Sequence, residues 1–359
     1  MTIKVLVVDD SMLMRALLTE IINGAPDMEV VGAAPDAIAA REMIKTLNPD
    51  VMTLDVEMPK MDGLEFLSRV MRLRPMPVVM ISSHTERGSE VTLQALELGA
   101  VDFIAKPRAE SAALLQGYTD EIRDKIRGAR HAQVRVSRRD VAGSAAQPPA
   151  SCGSGSGLSP AFLASHMVAI GASTGGTEAI KDVLCALPED MPGIVMVQHM
   201  PETFTPSFAK RLDSLSRLKV VEAQGGERIM PGHAYLAPGH SHMVVRKSGS
   251  DWVTELLKTE PVNRHRPAAD VLFDSVADQV GRNALGVILT GMGKDGAQGL
   301  LHMRQKGAWN VGQDQASCVV YGMPREAATL GALNDVAPLG EVGARIVAQL
   351  KSRDRSSRP

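Results

Sequence analysis

Ser173 stands in Gly171-Ala172-Ser173-Thr174-Gly175-Gly176, directly after the apolar run Met167-Val168-Ala169-Ile170 and ahead of an amphipathic stretch from Thr177 to Leu187. The pattern puts a hydroxyl on a glycine-rich bend between a strand and a helix, with small neighbours that let a carbonyl group approach the backbone. This is the G-x-S-x-G setting of an activated serine nucleophile. Strand, glycine loop and helix also cradle phosphates and dinucleotides, and on this motif alone that alternative stays open. The loop lacks the Lys-Ser/Thr ending of a P-loop and the G-x-G opening of a dinucleotide fingerprint. A serine needs a base, and the base needs an orienting acid. His199 follows the apolar run 194–198, and Asp295 lies in Thr290-Gly-Met-Gly-Lys-Asp295-Gly after the run 285–289. If these runs are neighbouring parallel strands, the three side chains meet at one sheet edge. Amides of the last loop, for example at Met292, then face a developing oxyanion.

Other groups compete for these roles. His240 and His242 lie two apart, as a metal pair on a strand would, but no third ligand follows at convincing spacing. His265, between Arg264 and Arg266, reads as a surface or substrate-contacting group. Cys185 falls on a helical apolar face and reads as core, while Cys318 is an outside candidate for a nucleophile.

A second constellation lies upstream. Asp9 and Asp10 end a first apolar run, Asp55 a third, Ser82 and Ser83 a fourth, and Lys106-Pro107 a fifth. The strand ends of one parallel sheet converge on a single crevice. Crowded carboxylates there suit a hard divalent cation such as Mg²⁺. Asp55 as phosphoryl acceptor, Lys106 as its electrostatic partner and a serine hydroxyl as detector together describe an aspartyl-phosphate site. A single Asp at a strand end is ordinarily a cap or turn former; the ordered set is not explained that way.

These groups require two α/β units to position them. Apolar runs at 3–8, 30–33, 51–54, 78–81 and 101–105 alternate with amphipathic stretches at 12–23, 37–47, 64–73, 90–98 and 112–126, which predicts a five-stranded parallel sheet covered on both faces. Residues 128–160, rich in Gly, Ser, Ala and Pro, have too few apolar side chains for a core and read as a flexible linker. Alternation then resumes, with strands expected at 168–170, 194–197, 220–223, 234–237, 243–246, 252–256, 285–289 and 310–312: a doubly wound, mostly parallel sheet with some antiparallel additions. At 359 residues, 44% of them hydrophobic, the chain has room for two cores. Three scattered cysteines (Cys152, Cys185 and Cys318) argue against a disulfide framework and for a reducing compartment. Residues 1–127 carry a net charge of −6 and the remainder +4. The basic excess falls in the linker and tail without interleaved aromatics, which does not suit a nucleic-acid binder. No apolar run approaches the roughly 20 residues of a membrane span.

With Val-Asp-Asp-Ser, Leu-Asp55-Val-Glu-Met-Pro-Lys-Met-Asp-Gly and Ile-Ala-Lys106-Pro in place, residues 3–125 resemble the flavodoxin-like receiver domain of response regulators. Gly-Ala-Ser-Thr-Gly-Gly, Val-Gln-His-Met-Pro, Asn263-Arg-His-Arg-Pro and Leu-Thr-Gly-Met-Gly-Lys-Asp-Gly, in that order, resemble the chemotaxis protein-glutamate methylesterase/glutaminase family. The receiver resemblance implies Mg²⁺ held at Asp9, Asp10, Asp55 and the carbonyl of Glu57, with Ser82 and Lys106 reading the phosphoryl group and a histidine kinase as donor. The methylesterase resemblance implies Ser173 as nucleophile, His199 as general base and acid, Asp295 as orienting acid, Thr174 and Met292 at the oxyanion site, and no cofactor for hydrolysis. It also implies methyl-esterified glutamates, and certain glutamines, on cytoplasmic helices of chemoreceptors as substrate. The expected organisation is a receiver at 1–126, a linker at 127–162, a catalytic domain at 163–352 and a basic tail at 353–359. The protein is expected to be cytoplasmic and monomeric, to bind no nucleic acid, to insert in no membrane, and to keep its catalytic cleft covered until Asp55 is phosphorylated.

Overall fold

The computed structural model describes residues 2–58, 61–83, 85–106, 112–134 and 156–357. The chain divides into two compact units, Met1–Gly143 and Ser144–Pro359.

The first unit alternates β1 (Ile3–Val8), α1 (Met12–Asn23), β2 (Met28–Ala34), α2 (Ala37–Leu47), β3 (Val51–Asp55), α3 (Gly63–Leu73), β4 (Val78–Ser82), α4 (Glu86–Glu97), β5 (Asp102–Ala105) and α5 (Ala112–Arg130). The strands pair in parallel in the order β2-β1-β3-β4-β5. β3, β4 and β5 are buried at every position because helices cover both faces. Ser11, Asp36, Asp62 and Thr85 cap the first four helices with their side chains. α4 begins a turn before the sequence pattern shows it, because Glu-Arg-Gly-Ser at 86–89 carries no apolar periodicity.

The second unit contains α6 (Pro160–Ser165), β6 (Met167–Ala172), α7 (Gly176–Ala186), β7 (Gly193–Gln198), α8 (Thr205–Leu215), β8 (Lys219–Glu222), β9 (His233–Leu236), β10 (His242–Ser248), β11 (Asp251–Leu257), α9 (Ala269–Gln279), β12 (Ala284–Ile288), α10 (Ala297–Gln305), β13 (Trp309–Gln313), α11 (Met323–Thr329), β14 (Asp335–Ala337) and α12 (Leu339–Ser357). Seven strands form one sheet, β14-β13-β12-β6-β7-β9-β8, and every pairing is parallel. β10 and β11 make a separate antiparallel hairpin. Phe273 of α9, fully buried, anchors a core shared by β6, β7, β12 and α10.

Three expectations change. The linker does not begin at 127: α5 runs on to Arg130, because Arg127 pairs with Asp27 and Asp124. Nor does it extend to 162, since Ser159 caps α6, donates to Asp354 at 2.9 Å and is followed by the buried Phe162. Residues 135–155, with Cys152 and most of the expected linker, lie outside the described residues, as does Pro107. The tail from 353 is helical to Ser357, with Asp354 buried against Ser159. Cys185 is exposed rather than core: α7 buries Ile180, Val183 and Leu184, and the next position turns outward.

Candidate functional site

The catalytic constellation assembles where β6, β7 and β12 end side by side. β6 pairs with β7 as far as Ala172 against Gln198, and with β12 as far as Gly171 against Ile288. Strand order reverses at β6, with later strands added on one side from β7 and on the other from β12, so the loops beyond these strands form the crevice in which open α/β sheets hold their ligands. Backbone bonds tie the loops together: His199 N–H donates to Ala172 O (3.2 Å) and Ser173 N–H to Thr290 O (3.0 Å). The Gln198 amide donates to Ser173 O at 2.9 Å. Because the Ser173 N–H is spent on Thr290, it is not an oxyanion donor.

Ser173 opens a tight turn, closed by Gly176 N–H on Ser173 O at 2.6 Å. The residue in the left-handed region is Gly175 (φ 75°), and Ser173 itself is unstrained. The strained serine of a nucleophile elbow is therefore replaced by a left-handed turn two residues on, which glycine adopts without strain. A Cβ on Gly175 would lie 2.6 Å from Val319. Gly291 is as confined: its Cβ would lie 2.8 Å from Ser173 Cβ and 2.3 Å from Met323 Sδ. Gly291 also donates to Val320 O and accepts from Gly322 and Met323 N–H, which staples the Met292 loop against the serine turn.

Asp295 is 1% exposed and accepts four hydrogen bonds, two on each oxygen. Oδ2 takes His199 Nε2–H (2.8 Å) and Ala269 N–H (2.5 Å); Oδ1 takes the Asn263 amide (2.9 Å) and Asp270 N–H (3.2 Å). Ala269 and Asp270 open α9, whose own N-cap position, Ala268, offers no side-chain bond. Asp295 thus supplies the cap from a distant loop and sits at the positive end of a helix. Burial alone would raise its pKa; the hydrogen bond and charge of His199, with the Asn263 and Ala269 donors, outweigh this and bring it down to about 2. An ionised carboxylate only accepts, so His199 carries its proton on Nε2. His199 Nδ1 is then a bare acceptor, and it is buried without a hydrogen-bond partner. No hydrogen bond joins Ser173 Oγ to His199 in this structure.

His199 has a second neighbour that sequence did not reveal. His265 stacks on it, ring centroids 3.7 Å apart and planes 12° from parallel. His242 is not half of a metal pair: Nδ1 accepts from Ala268 N–H (3.1 Å) and Nε2 meets Glu260 O (3.0 Å), so both ring nitrogens are used. His240 Nδ1 pairs with Ser241 Oγ. Cys318 is buried.

In the first unit, ligand atoms of Asp9, Asp10 and Asp55 lie within 4.8 Å of one another. Lys106 Nζ reaches Asp55 Oδ2 at 2.7 Å and Asp9 Oδ2 at 3.3 Å. Burial first, and the charge of Asp9, raise Asp55 to about 6 against the counteracting Lys106 bond. The Glu57 carboxylate stands outside this group and accepts from Ser83 Oγ (3.3 Å), while Glu57 N–H donates to Asp55 Oδ1 (3.2 Å). The Ser82 hydroxyl turns toward α4, bonded to Gly88 O and to Thr92.

Sequence comparison places these geometries in a family. The CheB methylesterase family model matches residues 168–346 and the response regulator receiver domain model residues 5–116. A protein-glutamate methylesterase/protein-glutamine glutaminase of Nitrosomonas europaea is 62% identical over 97% of this chain and 96% of its own. The chain belongs to the CheB methylesterase family. A Dechloromonas aromatica member of the same name is 60% identical over 97% of this chain and 99% of its own. The Thermotoga maritima CheB methylesterase catalytic domain superposes with a TM-score of 0.50 at 38% identity, covering 51% of this chain and 98% of that one. This CheB-family chain is accordingly a hydrolase joined to a receiver domain. Among its described residues, no helix is long and apolar enough to cross a membrane.

Proposed function

We propose that this chain hydrolyses methyl esters of chemoreceptor glutamates, and deamidates receptor glutamines, through Ser173, His199 and Asp295, under the control of phosphorylation at Asp55. The observation that carries the reading is a buried carboxylate paired with an imidazole whose other nitrogen is a bare acceptor, at the strand ends that also hold Ser173. The names of the relatives supply protein-bound glutamate esters and glutamines as the substrate class, and the joined receiver domain favours chemoreceptors as the proteins that carry them.

In the proposed reaction Ser173 Oγ attacks the ester carbonyl carbon while its proton passes to His199 Nδ1. Asp295 stabilises the resulting imidazolium through Nε2. Loop amides at Thr174 and Met292 hold the tetrahedral oxyanion. The carbon–oxygen bond to the methoxy group then breaks, and methanol leaves with the proton from His199. Water attacks the acyl-serine with His199 again as base, freeing the glutamate carboxylate and returning the proton to Ser173. With a glutamine, a carbon–nitrogen bond breaks and ammonia leaves.

In the receiver, Asp55 accepts the phosphoryl group of a histidine kinase. Asp9, Asp10 and Asp55 would hold Mg²⁺, with the Glu57 carbonyl. The fit rests on the all-oxygen donor set of three carboxylates, two of them buried, whose excess negative charge the Lys106 ammonium at Asp55 Oδ2 and Asp9 Oδ2 offsets only in part. Bound there, Mg²⁺ would supply positive charge against the incoming phosphoryl oxygens. Lys106 pairs with the same charge, and Ser82 exchanges its α4 partners for the phosphoryl group. The test is methanol release from a methyl-esterified chemoreceptor cytoplasmic domain, with and without an acyl phosphate as phosphodonor. Release should rise with the phosphodonor, vanish in Ser173→Ala, and persist at the basal rate in Asp55→Asn. Sustained release by Ser173→Ala refutes the reading.

A further inference from the structure

Residues 260–268 hold the one pair of adjacent non-glycine residues in the left-handed region among the described residues, Asn263 (φ 52°) and Arg264 (φ 69°). Asn tolerates that region more readily than Arg, so the turn is strained at Arg264 and its surroundings must hold it. The turn is closed on itself by Val262 N–H on His265 O (3.0 Å) and His265 N–H on Val262 O (2.9 Å). Both ends of the segment are pinned by one fully buried ring: His242 meets Glu260 O through Nε2 and Ala268 N–H through Nδ1. Between the pins, the turn sends two side chains to the hydrolytic pair. The Asn263 amide bridges Asp295 Oδ1 (2.9 Å) and Asp270 Oδ2 (2.8 Å), and His265 lies flat on His199.

A single hydrogen bond from Nε2 to Asp295 fixes where the His199 ring points but not its rotation about that bond. Nδ1 lies in the ring plane, so the direction of its lone pair is undetermined until the plane is set. The parallel face of His265 sets that plane. With centroids 3.7 Å apart, the second ring blocks rotation of the first out of the parallel plane and so biases one orientation. Asn263 performs the matching task for the acid: its two-pronged bond holds the Asp295 carboxylate against Asp270, so that Oδ2 keeps facing Nε2.

We infer that residues 260–268, anchored by His242, form a strap whose Asn263 and His265 are positioning residues for the Asp295–His199 pair. The inference rests on the reading of Ser173, His199 and Asp295 as the hydrolytic machinery. Neither side chain needs to touch substrate to act in this way.

The experiment uses the full chain and methanol release from the methyl-esterified receptor domain, with kcat and KM determined separately and thermal unfolding as a folding control. His265→Ala and Asn263→Ala should each lower kcat by roughly tenfold to a hundredfold, the cost of misplacing a reacting group by about 1 Å, with KM essentially unchanged. His265→Phe, which restores a flat ring without nitrogens, should recover most of the kcat lost in His265→Ala. Ser173→Ala and His199→Ala test the underlying reading independently: if both keep releasing methanol, that reading fails. If both are inactive while His265→Ala and Asn263→Ala retain wild-type kcat, the machinery stands and the strap is overturned. A loss confined to KM, or a Phe variant no better than the Ala variant, overturns it as well.

Discussion

Replacing Asp295 by Asn preserves shape and breaks chemistry, and the structure indicates by how much. Each carboxylate oxygen accepts two donors: His199 and Ala269 on one, Asn263 and Asp270 on the other. Wherever the new NH₂ group is placed, it faces two donors. Facing Asn263 and Asp270 N–H, it repels both, leaving Asp270 N–H without its acceptor and Asn263 with its bond to Asp270 Oδ2 alone. Facing His199, it donates to Nε2, drives the imidazole proton onto Nδ1 and removes the bare acceptor. The wrong tautomer costs on the order of 10⁴ in kcat in a triad of the same logic. The buried Ala269 or Asp270 N–H left without an acceptor costs about 1–3 kcal/mol, and loss of the anion at the α9 terminus adds about 0.3–2 kcal/mol. A destabilisation of about 2–4 kcal/mol lowers the unfolding midpoint of a unit this size by about 5–15 °C. The same charge gives a pH dependence. Its folded pKa, about 2, lies below the ordinary 3.8 of an aspartate, so its contribution is fully present above about pH 4 and is lost as pH falls toward 2. Asp295→Asn should lack that acid-limb loss. Steady-state methanol release and scanning calorimetry between pH 2.5 and 7.5 read both effects. A variant with kcat within tenfold of wild type would refute the assignment of the proton to Nε2.

Asp55 behaves in the opposite sense. With its folded pKa raised to about 6, the receiver loses stability as pH rises from about 4 through 6, by an amount on the order of 3 kcal/mol; Asp55→Asn should therefore raise the receiver's unfolding midpoint at pH 7.5 and leave it unchanged near pH 4. Gly175→Ala places a side chain at φ 75° and 2.6 Å from Val319, and should cost about 2–4 kcal/mol in thermal unfolding together with most of the hydrolytic activity. Cys185→Ser, at an exposed site on α7, should change unfolding free energy by less than about 0.5 kcal/mol and leave methanol release intact.

Both parallel sheets were legible because strands buried on two faces write themselves as unbroken apolar runs, and their ends announced Asp9, Asp55, Lys106, Ser173 and His199. β14, three residues long, and α11, seven, are too short to show a period. The start of α4 and the last turns of α5 and α12 are largely polar, and the extra turn of α5 is held by the charge pairs of Arg127 and by the small buried Ala129. Cys185 shows the limit of helical spacing: one position past Leu184 is enough to leave the core. In the hydrolytic site, the groups missed are those set by the turn at 262–265. Its positive φ values and the stack on His199 have no periodic signature, and the only trace in sequence was the string Asn-Arg-His-Arg-Pro. Which imidazole nitrogen meets the acid is likewise invisible until the fold fixes the ring.

The double occupancy of each Asp295 oxygen bears on how this scaffold can be re-engineered. One carboxylate sets the relative register of three chain segments: the end of β7, the turn at 262–265 and the first residues of α9. An added methylene, as in Glu, would shift all three together, so neither the acid nor its three neighbours can be redesigned singly. The side chains of Met292 and Lys294 are partly or fully solvent-facing and make no part of that junction, whereas Gly293, at φ 90°, admits no side chain without strain. Changes of substrate preference are therefore best sought in that rim, where side chains can be exchanged without moving the groups that handle the proton.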